Sequence, residues 1–174
     1  MQVQIFSNYY PQHQKLYNEI FDFTKDDIGW VYPKYDEWYH NTFLPDLKRG
    51  NRAYIIAGRG YTLNGCCLLK KTPEEQKICT LYVGREYRRQ GIGSDLMTAA
   101  LQELDKSPII TVSPGLLTGF APFLSHFGFE AVFKETNNPN RTCDICFRQT
   151  KPAVIQRVTY PWQNARYEVI KVKE

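Results

Sequence analysis

One stretch of the chain, residues 77–104, limits the possible folds more than any other. Its first part, residues 77–83, is rich in β-branched and aromatic side chains, which is typical of a buried strand. Its last part carries apolar residues at helical spacing, beginning with Ile92, Leu96 and Ala99. A short basic segment must therefore turn the chain from a strand directly into a helix.

The turn between these two elements contains two glycines at the point where the helix begins. Its sequence is Arg88-x-x-Gly91-x-Gly93, followed by Ser94. Because glycine has no Cβ, the unpaired N–H groups of the first helical turn can face outward without obstruction. The positive end of the helix dipole and the nearby arginines favour an anion there, and a pyrophosphate suits both. The charged side chains are those of Arg85, Arg88 and Arg89.

The spacing of the glycines separates this loop from two other nucleotide-binding signatures. Neither the G-x-G-x-x-G fingerprint nor the G-x-x-x-x-G-K-[ST] loop occurs in this stretch. The residues instead resemble the Arg/Gln-x-x-Gly-x-Gly/Ala loop of the GNAT superfamily of acyl-CoA-dependent N-acyltransferases. As in that family, an apolar strand, here ending at Val83, precedes the loop. The alternative interpretation is a solvated turn ahead of an amphipathic helix.

The resemblance implies a binding mode for acetyl-CoA as co-substrate. In the family, this strand splays away from its neighbour, so that its end can hydrogen-bond the pantetheine arm. The backbone groups of Leu81 and Val83 would serve here, while residues 88–94 would wrap the phosphates. The cofactor-binding residues implied are Leu81, Tyr82, Val83, Arg88, Arg89, Gln90, Gly91, Ile92, Gly93 and Ser94.

The composition indicates one globular domain of moderate charge. The chain has 174 residues, of which 43% are hydrophobic and 14% aromatic, and this argues against disorder. We expect no membrane span, no secretory signal and a cytoplasmic location, because no long apolar run is present. The net charge of +4 is modest, and binding of an anionic co-substrate is sufficient to account for it. Nucleic acid is not required, although a charged tRNA stays open as an acceptor.

The five cysteines do not predict a metal site. Their number is odd, and most of them lie in apolar runs, which favours reduced core residues. Cys143-x-x-Cys146 could suggest a metal or redox pair, but there is no second such pair. The intervening Asp144-Ile145 continues a strand instead of forming a zinc knuckle. We therefore predict no metal.

Alternation and helical spacing predict an α/β (α+β) fold, with a mixed sheet flanked by helices. The resemblance to the GNAT superfamily implies that this sheet is splayed. The strand–helix–strand unit that ends at residues 109–112 calls for two parallel neighbours, whereas the strands before residue 77 form an antiparallel meander. Residues 127–129 turn into a closing hairpin. The other predicted strands are residues 2–6, 52–57, 63–69, 131–134 and 142–149.

Three further helices are predicted outside the 77–104 stretch. The first contains Leu16 and Phe23. The second covers residues 34–44, with its aromatic side chains near one face that is either core or acceptor wall, and core is preferred. The third covers residues 118–127, with Pro122 placing its first turn near Ala121. The aromatic residues of the second helix are Tyr35, Trp38, Tyr39 and Phe43.

The segment around Phe123 also resembles a family motif but departs from it at one position. Many members carry a tyrosine, thought to protonate the leaving thiolate, where this chain has Leu124. Leucine cannot donate a proton, so either positioning suffices or another group acts. Ser113 is the best-placed substitute, but the preferred interpretation of this residue is a plain turn former beside Pro114. His126, Tyr82 and Tyr87 rank below Ser113.

Residues 151–174 lie beyond the expected GNAT-like domain of residues 1–150. Two strand-like runs, residues 154–160 and 167–172, predict an extra C-terminal β-hairpin. Isolated hairpins are only marginally stable, so this one should pack on the domain or on a partner. A homodimer is therefore possible.

The resemblance implies an N-acetyltransferase that moves acetyl from acetyl-CoA to a primary amine of a small molecule or peptide. A neutral amine would attack the thioester directly, and backbone N–H groups near Val83 would stabilise the oxyanion. Two alternatives stay open. One is a non-catalytic acyl-CoA-binding or sensory module, and the other is an acetyltransferase for aminoacyl-tRNA.

Overall fold

The computed structural model describes residues 2–59, 62–104, 107–132, 144–151, 155–158 and 169–172. The first half of its main sheet is an antiparallel meander, as predicted. Each strand pairs with the next along the chain. The strands are β1 (Gln2–Phe6), β2 (Arg52–Arg59), β3 (Thr62–Lys71) and β4 (Gln76–Val83).

The second half of the sheet changes direction. Strand β5 (Ile109–Val112) is parallel to β4, which confirms the mixed sheet. Strand β6 (Phe129–Val132) forms the edge, and β7 (Ile145–Gln149) lies between β5 and β6, antiparallel to both. Parts of the hairpin predicted at 131–134 and 142–149 fall on residues 133–143, outside the described ranges. The seven strands follow the order β1-β2-β3-β4-β5-β7-β6.

The first helices cover one face of the sheet. Helix α1 (Gln14–Val31) ends before Pro33, because the residue ahead of a proline disfavours helical backbone. The helix predicted at residues 34–44 is longer and irregular: α2 (Tyr35–Trp38) and α3 (Leu44–Lys48) flank a π-helical turn over Tyr39–Phe43. Pro45 has no N–H for the next α-helical bond, which favours the wider turn just before it.

The other face carries α4 (Ile92–Glu103) and α5 (Leu117–His126). Helix α4 begins where the sequence predicts. The position of Pro122 was predicted wrongly, because this residue lies inside α5 and not in its first turn. Leu124 and the following Phe127 are fully buried, so their packing holds a helical turn that Pro122 alone would disfavour.

Two hydrophobic clusters lie on opposite faces of the sheet, since neighbouring strand residues alternate between them. One cluster packs α4 and α5 on the sheet. The other packs α1 to α3 on it and contains Tyr35, Tyr39 and Phe43, with Trp38 against them. The core interpretation of these aromatic residues is thus confirmed, whereas Trp30 on α1 is 89% exposed.

Cys66, Cys67 and Cys146 are buried free thiols, as predicted, and Cys79 is half-buried. Among the described residues, no group of three or more histidine, cysteine, aspartate or glutamate side chains could hold a metal ion. Within the same ranges, no helix has the length and apolar character needed to traverse a bilayer.

The C-terminal segment forms a separate two-stranded antiparallel sheet. Strand β8 (Ile155–Val158) pairs with β9 (Val169–Val172), and β9 lies beside α4. The remaining residues of the two predicted runs lie outside the described ranges. Division of the chain at residue 150 stays a prediction.

Candidate active site

The sheet opens between its two central parallel strands. Strands β4 and β5 pair only at Lys77 with Ile109 and at Ile78 with Ile110. Both strands continue beyond these pairs, β4 as far as Val83. The two strand ends therefore diverge, and the splayed sheet expected from the sequence is confirmed.

A β-bulge marks the position where the strands part. Ile78 pairs with Leu69 of β3 and Thr80 pairs with the preceding Leu68, so Cys79 is an extra residue in β4. A bulge bends its strand and increases its twist, which turns the end of β4 away from β5. The Cys79 thiol accepts a hydrogen bond of 3.2 Å from Nη1 of the buried Arg52. Nothing in the sequence indicated this bulge.

Backbone groups of β4 face the opening at alternate residues. The Gly84 N–H donates to the Asn64 carbonyl of β3 at 3.0 Å. Because ladder bonds alternate along an antiparallel strand, the backbone of Tyr82 faces β3, whereas Leu81 and Val83 face the opening. The Val83 carbonyl there accepts a 3.0 Å hydrogen bond from Arg88 Nε. An extended amide-bearing chain could take the place of a strand beside Leu81 and Val83.

The loop that follows β4 leads into the N-terminus of α4. Gly91 caps the helix with a φ of 82°, a left-handed conformation that favours glycine. The first intrahelical bond runs from the Asp95 N–H to the Gly91 carbonyl at 3.0 Å. The amides before Asp95 therefore have no partner inside the helix. Those amides belong to Ile92, Gly93 and Ser94.

Two glycines of the loop have different roles. A Cβ added at Gly93 would meet Val83 and Phe123 at ordinary contact distances of 3.8 and 3.9 Å. Gly93 is thus close to the end of β4 without being sterically obligatory. At Gly91 a Cβ would meet nothing within 4 Å, so space does not require a glycine there. The left-handed backbone angle does. Arg89 also has a positive φ, of 60°.

A single carboxylate on α1 organises the basic loop. Asp27 Oδ2 accepts hydrogen bonds from the Tyr82 hydroxyl at 2.8 Å, from Arg85 Nε at 3.0 Å and from Arg88 Nη2 at 3.4 Å. Arg85 Nη2 donates to its other oxygen. The Arg85 guanidinium is the main reason that the pKa of Asp27 lies below its usual value, and the Tyr82 hydroxyl adds to this effect.

This network leaves the loop positively charged. One carboxylate faces two guanidinium groups, and the neighbouring Arg89 is exposed. Burial, followed by the hydrogen bond to Asp27, raises the pKa of Tyr82 to about 12. The Tyr82 hydroxyl therefore stays protonated and holds Asp27. A phosphate that approaches α4 meets helix amides and arginine side chains together.

Ser113 lies on the opposite side of the opening from Val83. It follows the last residue of β5, and its N–H donates to the Tyr32 hydroxyl at 3.1 Å. Tyr32 directly follows α1, and its ring packs against the aromatic cluster of α1 to α3. In the sequence, Tyr32 is one of many aromatic residues between positions 30 and 43, and no motif distinguishes it as a site residue. The only local feature that marks its position is Pro33, which predicts the end of α1 beside it.

The remaining candidates from the sequence lie away from the opening or are engaged elsewhere. Leu124 is fully buried in the core under α5. His126 is exposed at the end of α5, where its ring meets the edge of Phe127. The side chain of Gln90 donates to the Glu86 carbonyl at 3.1 Å. The structure thus brings residues 81–83, residues 88–94 and Ser113 around one opening.

An open mixed sheet, split beside a glycine-capped helix N-terminus, defines the class of acyl-CoA-dependent acyltransferases. Comparison with known families agrees. The chain belongs to the acetyltransferase (GNAT) family, whose model matches residues 14–113. A search of curated proteins gave no match.

Solved structures of this class share the fold at low sequence identity. One is the PaiA N-acetyltransferase of Thermoplasma acidophilum in complex with coenzyme A, with a TM-score of 0.63 and 17% identity, covering 86% of this chain and 99% of that one. An aminoglycoside 6′-N-acetyltransferase complexed with coenzyme A gives 0.62 and 14%, covering 85% and 96%. An acyl-CoA N-acyltransferase from Pseudomonas aeruginosa gives 0.57 and 19%, covering 84% and 96%.

Proposed function

We propose that the protein is an N-acetyltransferase that moves acetyl from acetyl-CoA to a primary amine of a small molecule or peptide. One observation carries this proposal: the opening between β4 and β5 lies next to the N-terminus of α4. The two features suit the two chemically different parts of one ligand. The open strand edge suits the amides of the pantetheine arm of acetyl-CoA, and the helix N-terminus suits the pyrophosphate of the same molecule.

The residues present suit the pantetheine and phosphate parts of coenzyme A. Leu81 and Val83 can bond the pantetheine amides, once Arg88 gives up the Val83 carbonyl to which it now donates. Arg88 could then contact a phosphate beside the amides of Ile92 and Gly93. The two solved neighbours that contain coenzyme A support this assignment.

Direct transfer requires this chain to position two reactants and to stabilise negative charge on the thioester oxygen. The end of β4 supplies backbone N–H groups at the opening, and such fixed donors stabilise a developing oxyanion. A neutral amine held there attacks without a covalent enzyme intermediate.

The first experiment measures acetyl-CoA binding by isothermal titration calorimetry. We expect the Arg88→Ala variant to bind about tenfold to a hundredfold more weakly, because it loses a charge-assisted hydrogen bond to phosphate. Arg49→Ala is the matched control, since Arg49 is also exposed and also pairs with one aspartate, Asp46, at 3.0 Å. Wild-type affinity in Arg88→Ala would contradict the assigned phosphate site.

The second experiment measures release of free thiol from acetyl-CoA across a panel of acceptors. The panel contains small primary amines, peptides and an aminoacyl-tRNA, because the acceptor is the least constrained part of the proposal. Thiol release with at least one amine is the expected result. Binding of acetyl-CoA without thiol release from any acceptor would favour a sensory module, for which the buried Leu124 is the supporting observation.

A further inference from the structure

Acyl transfer from a thioester releases a thiolate, which a positioned proton donor can stabilise, and the described residues offer few such donors near the opening. Leu124, on α5, has no proton to give and is fully buried. The Tyr82 hydroxyl donates to Asp27 at 2.8 Å on the α1 side of the sheet. His126 is exposed at the far end of α5. The next place to look for a donor is the end of β5, where Ser113 and the hydroxyl that it binds lie.

The Tyr32 hydroxyl lies at the end of β5, on the edge of the opening. It accepts the Ser113 N–H at 3.1 Å, and Ser113 lies three positions beyond Ile110, the last residue of β5 that pairs with β4. Two separate elements hold this hydroxyl in place. The end of α1 holds the ring against the aromatic cluster, and β5 holds the oxygen.

We propose that Tyr32 contacts the thioester sulfur in the opening and protonates the departing thiolate. This inference rests on the proposed function. It assigns the role of acid to a residue that directly follows α1, because Leu124 on α5 cannot fill it. A phenol hydroxyl carries one proton and two lone pairs, so accepting the Ser113 N–H does not use the O–H proton of Tyr32.

The protonation state of Tyr32 suits this role. Burial raises the pKa of Tyr32 above its usual value of 10.0, and the nearby Asp144 carboxylate raises it further, while the Ser113 N–H opposes both. The phenol is therefore protonated at neutral pH and can donate. After donation, the Ser113 N–H stabilises the phenolate, because a hydrogen bond to a charged oxygen is stronger than one to a neutral oxygen.

The proton balance closes within the site. The amine nitrogen forms a bond to the carbonyl carbon, and the bond between that carbon and sulfur breaks. Tyr32 gives its proton to the sulfur as this bond breaks. The phenolate then takes the surplus proton from the nitrogen of the new amide. One proton has moved from the amine to the thiol, Tyr32 is regenerated, and no oxidant or metal takes part.

The first test needs no acceptor, because it titrates the thiol of bound coenzyme A through the ultraviolet absorbance of the thiolate. An O–H donor at the sulfur stabilises the thiolate. We therefore expect Tyr32→Phe to raise the pKa of the bound thiol by about one to two units relative to the wild type. Tyr9→Phe is the control, since Tyr9 is also half-buried but stacks on Tyr17 at the start of α1. An unchanged thiol pKa in Tyr32→Phe would overturn the proposal.

The second test separates catalysis from structural support, with hydroxylamine as the acceptor because it needs no dedicated pocket. We expect Tyr32→Phe to lower kcat about 100-fold and to leave the KM for acetyl-CoA within about twofold. Equal kcat values in variant and wild type, or a loss confined to KM, would show that Tyr32 only supports the fold. Failure of the wild type to bind coenzyme A is a separate result, which would overturn the proposed function itself.

Discussion

The substitution Gly91→Ala tests whether the loop before α4 binds phosphate. Gly91 has a φ of +82° and open space where a Cβ would be placed. Gly50 offers a matched control, because its φ is +80° and its added Cβ would also meet nothing within 4 Å. Gly50 lies just beyond α3, however, and not at the opening. The two alanine variants should therefore carry the same backbone strain at two different places.

The expected magnitudes follow from this geometry. A left-handed conformation costs an alanine about 1–2 kcal/mol. Reduced freedom of the unfolded chain offsets about 0.4–1 kcal/mol of this. Both variants should then lose roughly 1 kcal/mol of unfolding free energy, measured by urea denaturation without ligand. For Gly91→Ala, the new methyl group also stands in the space before the helix amides. We expect its affinity for acetyl-CoA to fall about 5-fold to 30-fold, the equivalent of about 1–2 kcal/mol.

Calorimetry on the wild type and both variants decides the outcome. The account predicts that both variants are destabilised alike and that only Gly91→Ala binds acetyl-CoA weakly. If both variants are destabilised alike and both bind with wild-type affinity, the ligand does not lie against Gly91. The assignment of the loop would then be refuted.

Three further predictions concern other parts of the chain. The folded-state pKa of Asp27 lies below its usual 3.8, so the ionised carboxylate stabilises the fold at neutral pH. Asp27→Asn should therefore unfold at a lower urea concentration than the wild type at about pH 7. This difference should disappear as the pH falls below about 4 and Asp27 becomes protonated. Pro122→Ala should raise the unfolding free energy by about 2 kcal/mol. Removing proline from the helix interior stabilises the folded state by about 3 kcal/mol, and the greater freedom of the unfolded chain offsets about 1 kcal/mol of this. A destabilised variant would contradict this prediction. Gly128→Ala should destabilise more than Gly50→Ala by about 1–3 kcal/mol, because its Cβ would overlap the Lys151 carbonyl.

The parts of the fold that depend on local pattern were predictable. The strand, basic turn and helix of residues 77–104 carry period-two and helical signals with glycines between them, and all three elements form where expected. Parallel pairing of β4 with β5 followed from the length of their connection. The splay itself came from the family resemblance. Its cause, the bulge at Cys79, has no sequence signal that separates it from the rest of the strand.

The parts that depend on contacts between distant residues were not predictable. Asp27 meets Arg85 across 58 positions, and Tyr32 meets Ser113 across 81 positions, so neither pair has a spacing rule. Insertion of β7 between β5 and β6 likewise depends on tertiary packing. Pro122 was misplaced for a different reason. The local rule that proline lies in the first turn of a helix predicts a start near Ala121, but burial of Leu124 and Phe127 stabilises a helix that begins at Leu117.

The assignment of the opening can be tested residue by residue by titrating coenzyme A into isotopically labelled protein and following amide signals by NMR. The account predicts that the largest shifts occur at Leu81 and Val83 and at the first turn of α4. Amides of β1 and β2, at the far edge of the sheet, should stay unchanged. Shifts that cluster elsewhere, with residues 81–83 and 92–94 unmoved, would contradict the account.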